Sequence, residues 1–173
     1  MGLDFGCECQ KCGYTFYASV GSGIAYPKVY KETVEKLKTG FYGAQGKEFF
    51  EAFPDGAISC ERIVVQCNDC NSLMEVLDLS LYVPKDGFSK EKLDRTVPWS
   101  SGFSRKGYEC ITEFELRENY ELFKKYDHRC AKCNGHTTVV PGFTENMSNK
   151  INRKVRCPGC GTILEIELCG MWD

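Results

Sequence analysis

Apolar residues recur along this chain with two different periods. Residues 25 to 40, AYPKVYKETVEKLKTG, place Val29, Thr33, Val34 and Leu37 on one side of a helix. Pro27 suits the first helical turn and Gly40 the end. The lysines and glutamates between them alternate in sign, the pattern of a solvated face. A shorter helix is predicted within GKEFFEAFPDG, residues 46 to 56, where Phe49, Phe50 and Phe53 make an apolar side and Pro54 stops it. In TEFELRENYELFKKYDHRC, residues 112 to 130, Thr112 and Glu115 fit a capping box, and Leu116, Tyr120 and Phe123 keep helical spacing. A period of two marks the strands. Leu164, Ile166 and Leu168 alternate with Glu165 and Glu167, and HTTVV at 136 to 140 has the β-branched content of a strand, with a turn expected at 146 to 149. Residues 84 to 107 have the proline, glycine and serine of a connector, with Trp99 and Phe103 as docking residues. Gly21-Ser22-Gly23 lacks the Lys-Ser/Thr ending of a phosphate loop and reads as a bend.

The strand signals surround a phrase that is written twice. VQCNDCNSLMEVLD at residues 65 to 78 returns as VRCPGCGTILEIEL at 155 to 168, matching Val65, Cys67, Cys70 and Glu75 to Val155, Cys157, Cys160 and Glu165. A second phrase recurs as well: Cys9, Lys11 and Cys12 match Cys130, Lys132 and Cys133. Each half of the chain therefore reads C-x-x-C, spacer, strand, C-x-x-C, strand. The first half carries a longer spacer, which is where the two earlier helices fall.

Composition now becomes informative. Twelve cysteines in 173 residues imply either a disulfide scaffold or a metal protein. The first residues, MGLDFG, have neither the basic start nor the apolar run of a signal peptide, so a reducing cytoplasmic setting is expected and disulfides are not. No stretch has the length of a membrane span. Four C-x-x-C pairs, Cys9/Cys12, Cys67/Cys70, Cys130/Cys133 and Cys157/Cys160, then read as metal ligands, because two intervening residues let both sulfurs reach one ion. The doubled phrases assign the pairs half by half: Cys9, Cys12, Cys67 and Cys70 to one ion, and Cys130, Cys133, Cys157 and Cys160 to the other. Cys7, two residues before Cys9, is an alternative to it. Cys60, Cys110 and Cys169 are expected in the core, and His128 and His136 at the surface or behind the ligands.

This order resembles the zinc-ribbon and rubredoxin-like class of small metal folds, and the repeated knuckles resemble those of bacterial proteins with tandem zinc ribbons. The resemblance implies an α+β protein of two small zinc-ribbon β units. The first would span residues 1–83 with a helical insertion at about 24–54 laid against it. A connector at 84–109 would lead to a helix and second ribbon at 110–173. Two Zn²⁺ are implied, with iron as the alternative occupant of a four-sulfur site. Four thiolates close a tetrahedral site and leave no position for an activated water, so the expectation is a non-enzymatic module that binds another protein. A nucleic-acid-binding ribbon is the alternative, on Lys150, Arg153, Lys154 and Arg156 with Arg129 and Lys132 nearby. It is weakened by a net charge of -2 before any thiolate is counted. Electron transfer is a third reading, since CGY at Cys12 to Tyr14 and CPGCG at Cys157 to Gly161 resemble rubredoxin knuckles.

Overall fold

A computed structural model describes residues 2–93, 109–140 and 155–172. Trp99, Phe103, the 146–149 turn, Lys150, Arg153 and Lys154 lie outside the described residues. The elements in chain order are β1 (Gly2–Glu8), β2 (Thr15–Gly21), α1 (Tyr26–Lys38), α2 (Ala44–Ala52), β3 (Ala57–Ile58), β4 (Arg62–Cys67) and β5 (Leu73–Leu77). After these come β6 (Leu81–Pro84), α3 (Glu113–Asn119), β7 (Tyr120–Lys124), β8 (Thr137–Val139), β9 (Val155–Arg156) and β10 (Ile163–Trp172). The mixture is α+β. No described helix is long and apolar enough to cross a membrane.

The elements group into two compact units, and these interleave along the chain. One unit comprises Met1–Gly23, Glu61–Leu77 and Asp127–Asp173; the other comprises Ile24–Cys60 and Asp78–Tyr126. This differs from the expected division into an N-terminal ribbon, a connector and a C-terminal ribbon. The reason is the sheet of the first unit, whose order is β5-β4-β2-β1-β10-β9 with β8 also pairing β4. The first and last strands of the chain are neighbours in it: β1 pairs β10 antiparallel from Gly2↔Trp172 to Glu8↔Glu165. Phe5, Cys7, Ala18, Val20, Val64, Leu73, Val155 and Leu164 share its buried face. The alternation predicted after residue 163 holds for Leu164 but not for Leu168, which is 48% exposed. Among the described residues, β9 pairs β10 only at Ile163 and Leu164, and no other strand pairs the later residues of β10 on that side. Cys169 is the extra residue of a bulge between the Phe5↔Leu168 and Asp4↔Gly170 pairs.

The second unit packs the three helices with the sheet β3-β6-β7. Pro27 lies in the first turn of α1, as expected, and Gly40 follows it with φ 78°. The buried stripe is Tyr26, Tyr30, Thr33 and Leu37, with Val29 and Val34 half-buried beside it. The tyrosines can turn inward because their hydroxyls are satisfied: Tyr26 donates to the Ile111 carbonyl at 2.8 Å, and Tyr30 accepts from the Ile58 amide at 3.5 Å. Helix α2 buries Phe49 and Phe50 and crosses α1 closely at Gly46, where an added Cβ would lie 2.5 Å from Leu37 Cδ2. Both helices thus belong to a unit with its own core. The Thr112/Glu115 capping box is present, but α3 ends at Asn119. Residues 120 to 124 form β7 instead of a continued helix, because β6 offers them a ladder, with Val83↔Glu121 and Tyr82↔Leu122 paired. Tertiary pairing overrides the helical spacing of Leu116, Tyr120 and Phe123.

Candidate metal centres

All four C-x-x-C segments are turns of β-hairpins, and the turns have the same construction. Residues Glu8 and Thr15 pair across the first, Gln66 and Leu73 across the second, Arg129 and His136 across the third, and Arg156 and Ile163 across the fourth. Six residues fill each turn, with cysteine first and fourth. The amide of the first cysteine donates to the carbonyl of the sixth residue: Cys9 to Tyr14 at 2.7 Å, Cys67 to Ser72 at 2.9 Å, Cys130 to Gly135 at 2.9 Å and Cys157 to Thr162 at 2.7 Å. The fifth residue donates back to the first cysteine's carbonyl, from Gly13, Asn71, Asn134 and Gly161. These four are left-handed, with φ of 72°, 56°, 60° and 71°. Glycine has no Cβ to clash there, and asparagine tolerates the region better than most residues. The glycine or asparagine after every second cysteine is thus a local sequence signal of these turns.

The turn directs both sulfurs to one point and its amides toward the first sulfur. Asp69 and Cys70 amides lie 3.4 and 3.5 Å from Cys67 Sγ, Lys132 amide 3.4 Å from Cys130 Sγ, and Gly159 amide 3.3 Å from Cys157 Sγ. Such donors stabilise a thiolate. The first cysteine of each pair, Cys9, Cys67, Cys130 or Cys157, is buried, and the second faces outward.

Two turns meet at each site. Cys9, Cys12, Cys157 and Cys160 form one tetrad, and Cys67, Cys70, Cys130 and Cys133 the other, with all sulfurs of a tetrad within 4.8 Å of one another. Thus all eight predicted ligands gather into two sites, but not by halves of the chain. The expected grouping of Cys9 and Cys12 with Cys67 and Cys70, and of Cys130 and Cys133 with Cys157 and Cys160, is corrected: the halves exchange their second turns. Each tetrad still joins one turn of the CQKC/CAKC kind to one of the CNDC/CPGC kind. Strand pairing causes the exchange. The β1–β10 ladder carries Glu8, next to Cys9, to Glu165 of the last strand. The β4–β8 ladder sets Cys67 opposite Thr137, just past the third turn. Duplication of the phrases specified the kinds of turn and not which copies would meet.

The dimensions suit a tetrahedral ion. Sulfurs from facing turns are 3.5 Å apart at Cys9–Cys160 and Cys12–Cys157, 3.4 Å at Cys67–Cys133 and 3.6 Å at Cys70–Cys130. A tetrahedron with metal–sulfur bonds of about 2.3 Å has edges of about 3.8 Å, whereas a disulfide requires about 2.05 Å. Acidity within the tetrads is uneven. The Ser72 hydroxyl, 3.1 Å from Cys70 Sγ, and then the Ser72 amide pull Cys70 down to about 6. The Thr162 hydroxyl and amide act alike on Cys160, also brought to about 6. For Cys12 the Tyr14 amide favours the thiolate, but the sulfurs around it, Cys157 first, outweigh it and push the thiol up to about 12. Cys133 is pushed up to about 12 against the Gly135 amide, with Cys67 the leading cause. Four sulfurs this close cannot all be anionic unless a cation neutralises them, and each tetrad could hold one.

One side chain joins the two sites. Gln66 Nε2 donates to the Asn71 carbonyl of its own turn at 3.0 Å and to the Arg156 carbonyl, at the entrance of the other tetrad's turn, at 2.7 Å. Of the remaining cysteines, Cys7 is buried beside the first tetrad but outside it, its thiol pushed up chiefly by burial. Cys60 and Cys110 are buried as expected, whereas Cys169 is exposed, because the bulge turns it out of the core. His136 pairs with Asp127 at 3.2 Å, and neither His136 nor His128 belongs to a tetrad. Of the basic residues considered for nucleic acid, Arg156 is exposed, and Arg129 is paired with Asp127 at 2.9 Å. No family model matches the chain, and no curated protein or solved structure matches it.

Proposed function

We propose that this chain is a non-enzymatic module that binds another protein and is held in shape by two structural Zn²⁺. The observation that carries the reading is the pair of four-sulfur sites, each built from two hairpin turns of the same construction. With all four positions taken by cysteine, a bound ion has no place for a water or substrate. Its contribution is then to stability, about 10 to 16 kcal/mol in small zinc peptides, against about 5 to 15 kcal/mol for the folding of a whole domain. Zinc ligation by thiolates also fits a reducing cytoplasm. A nucleic-acid role is disfavoured by charge: two tetrads carrying four thiolates and one divalent ion each take the formal net charge from -2 to about -6. The test is metal analysis and absorption of protein purified without chelators, followed by cross-linking in the native cell. Two zinc ions per colourless chain and a protein cross-link are expected. A red iron protein, or a nucleic-acid adduct that resists moderate salt, would refute the reading.

A further inference from the structure

The side of the β2–β1–β10 ladder opposite its core carries a cleft of about 520 Å³ that ends at the first tetrad's turns. Gly6 is its floor. Across the ladder Gly6 pairs with Tyr17 on one side and Glu167 on the other, and an added Cβ would lie 2.9 Å from both Tyr17 Cε1 and Cys169 Sγ. A side chain at residue 6 would therefore fill the depression. One wall is the Tyr17 ring, a residue 73% exposed. The other is β10, which presents Glu165 and Glu167, while Glu8 stands directly opposite Glu165. All three carboxylates are exposed, and none has an ion-pair partner among the described residues. Lys11 is the one cation among the lining residues.

Like charges placed opposite each other across a ladder destabilise it, so Glu8 and Glu165 are poorly explained by folding. A tyrosine exposed beside them is the kind of residue that anchors an interface. From the cleft we infer that it docks an extended segment of a partner protein bearing lysine or arginine at alternate positions. This rests on the protein-binding reading above and specifies its partner's chemistry. Glu165 and Glu167 are two residues apart on one strand, a repeat of about 6.8 Å, which is also the spacing of same-side residues in an extended peptide. Cationic heads at that spacing meet the two carboxylates in turn, with Glu8 sharing the first. Their aliphatic stems, or a guanidinium plane, lie on the Tyr17 ring. The adjacent four-thiolate site, net -2 with its ion, adds to the negative field and repels a phosphate backbone.

The experiment uses the zinc-loaded full chain and a fluorescent nine-residue peptide of alternating lysine and threonine. A glutamate–threonine peptide and a single-stranded RNA serve as the other arms, and binding is read by anisotropy at two salt concentrations. The lysine peptide is expected to bind, more weakly at higher salt, and to slow alkylation of Cys169, whose thiol lines the cleft. The triple substitution Glu8→Gln, Glu165→Gln, Glu167→Gln should weaken binding at least tenfold while two zinc ions are retained. Glu167→Lys alone, a single exposed change, should do so several-fold. Equal binding by these variants, preference for the acidic peptide or RNA, or unchanged Cys169 alkylation would overturn the inference. Two zinc ions with no lysine-peptide binding would overturn the cleft alone, whereas fewer than two ions would overturn the reading beneath it.

Discussion

Replacing Cys9 and Cys12 together by serine separates the two possible groupings of the sulfurs. In the structure these residues share a site with Cys157 and Cys160, 145 residues from Cys12 to Cys157. A grouping within the N-terminal half would close a loop of about 55 residues instead, and chain entropy favours that shorter closure by about 0.9 kcal/mol. The β1–β10 ladder, with register pairs running from Gly2↔Trp172 to Glu8↔Glu165, outweighs so small a term. In the double variant metal content is expected to fall from two ions to one. Cys157 and Cys160 should become reactive to an alkylating reagent, joining Cys169, so that rapidly labelled thiols rise from one to three. Cys67, Cys70, Cys130 and Cys133 should stay protected. Losing about 10 kcal/mol of binding energy from one site is comparable to the folding free energy of a domain, so the β9–β10 turn should lose its protection from hydrogen exchange. The assay is metal quantification with mass-spectrometric mapping of labelled cysteines on the same sample. Labelling of Cys67 and Cys70 while Cys157 and Cys160 remain protected would refute the exchanged grouping.

Metal uptake should release protons. Cys12 and Cys133, pushed up to about 12, are protonated at pH 7 and must ionise to bind, so apparent affinity should rise at least tenfold per pH unit per site. Below pH 6 Cys160 and Cys70 also take up protons and the dependence should steepen, as calorimetry in buffers of different ionisation enthalpy would show. Gly161 has φ 71°, so Gly161→Val should cost about 1 to 2 kcal/mol and weaken metal retention about tenfold. Gly161→Asn, which copies Asn71 and Asn134, should cost far less; competition with a chelator measures both. Removing the Gln66 amide with Gln66→Leu breaks its bond to Asn71 in its own turn and the one bond to Arg156 between the turns, and should cost about 1 to 3 kcal/mol. It should also let the two ions dissociate independently, where the parent loses the second faster after the first, in a stopped-flow chelator assay.

The eight ligands were legible because C-x-x-C is a local device: two sulfurs three positions apart on one turn reach a common point whatever the rest of the chain does. The helix starts at Pro27 and Thr112 were legible for the same reason, since caps and first turns act over a few residues. Where α3 ended was not, because Tyr120 to Lys124 follow the ladder offered by β6, a partner some forty residues away. Nor was the position of Cys169, which depends on a bulge opposite Asp4 and Phe5.

The sequence by itself therefore determined which sulfurs each turn offers to an ion, through cysteine spacing and the left-handed glycine or asparagine that closes it. Which turns bring their sulfurs together was decided only when the chain's first strand paired with its last. The physical reason is range. A turn's geometry is set by neighbours along the backbone, whereas the meeting of two turns is set by sheet register and a common core, and closure entropy changes too slowly with loop length to prefer the nearer partner.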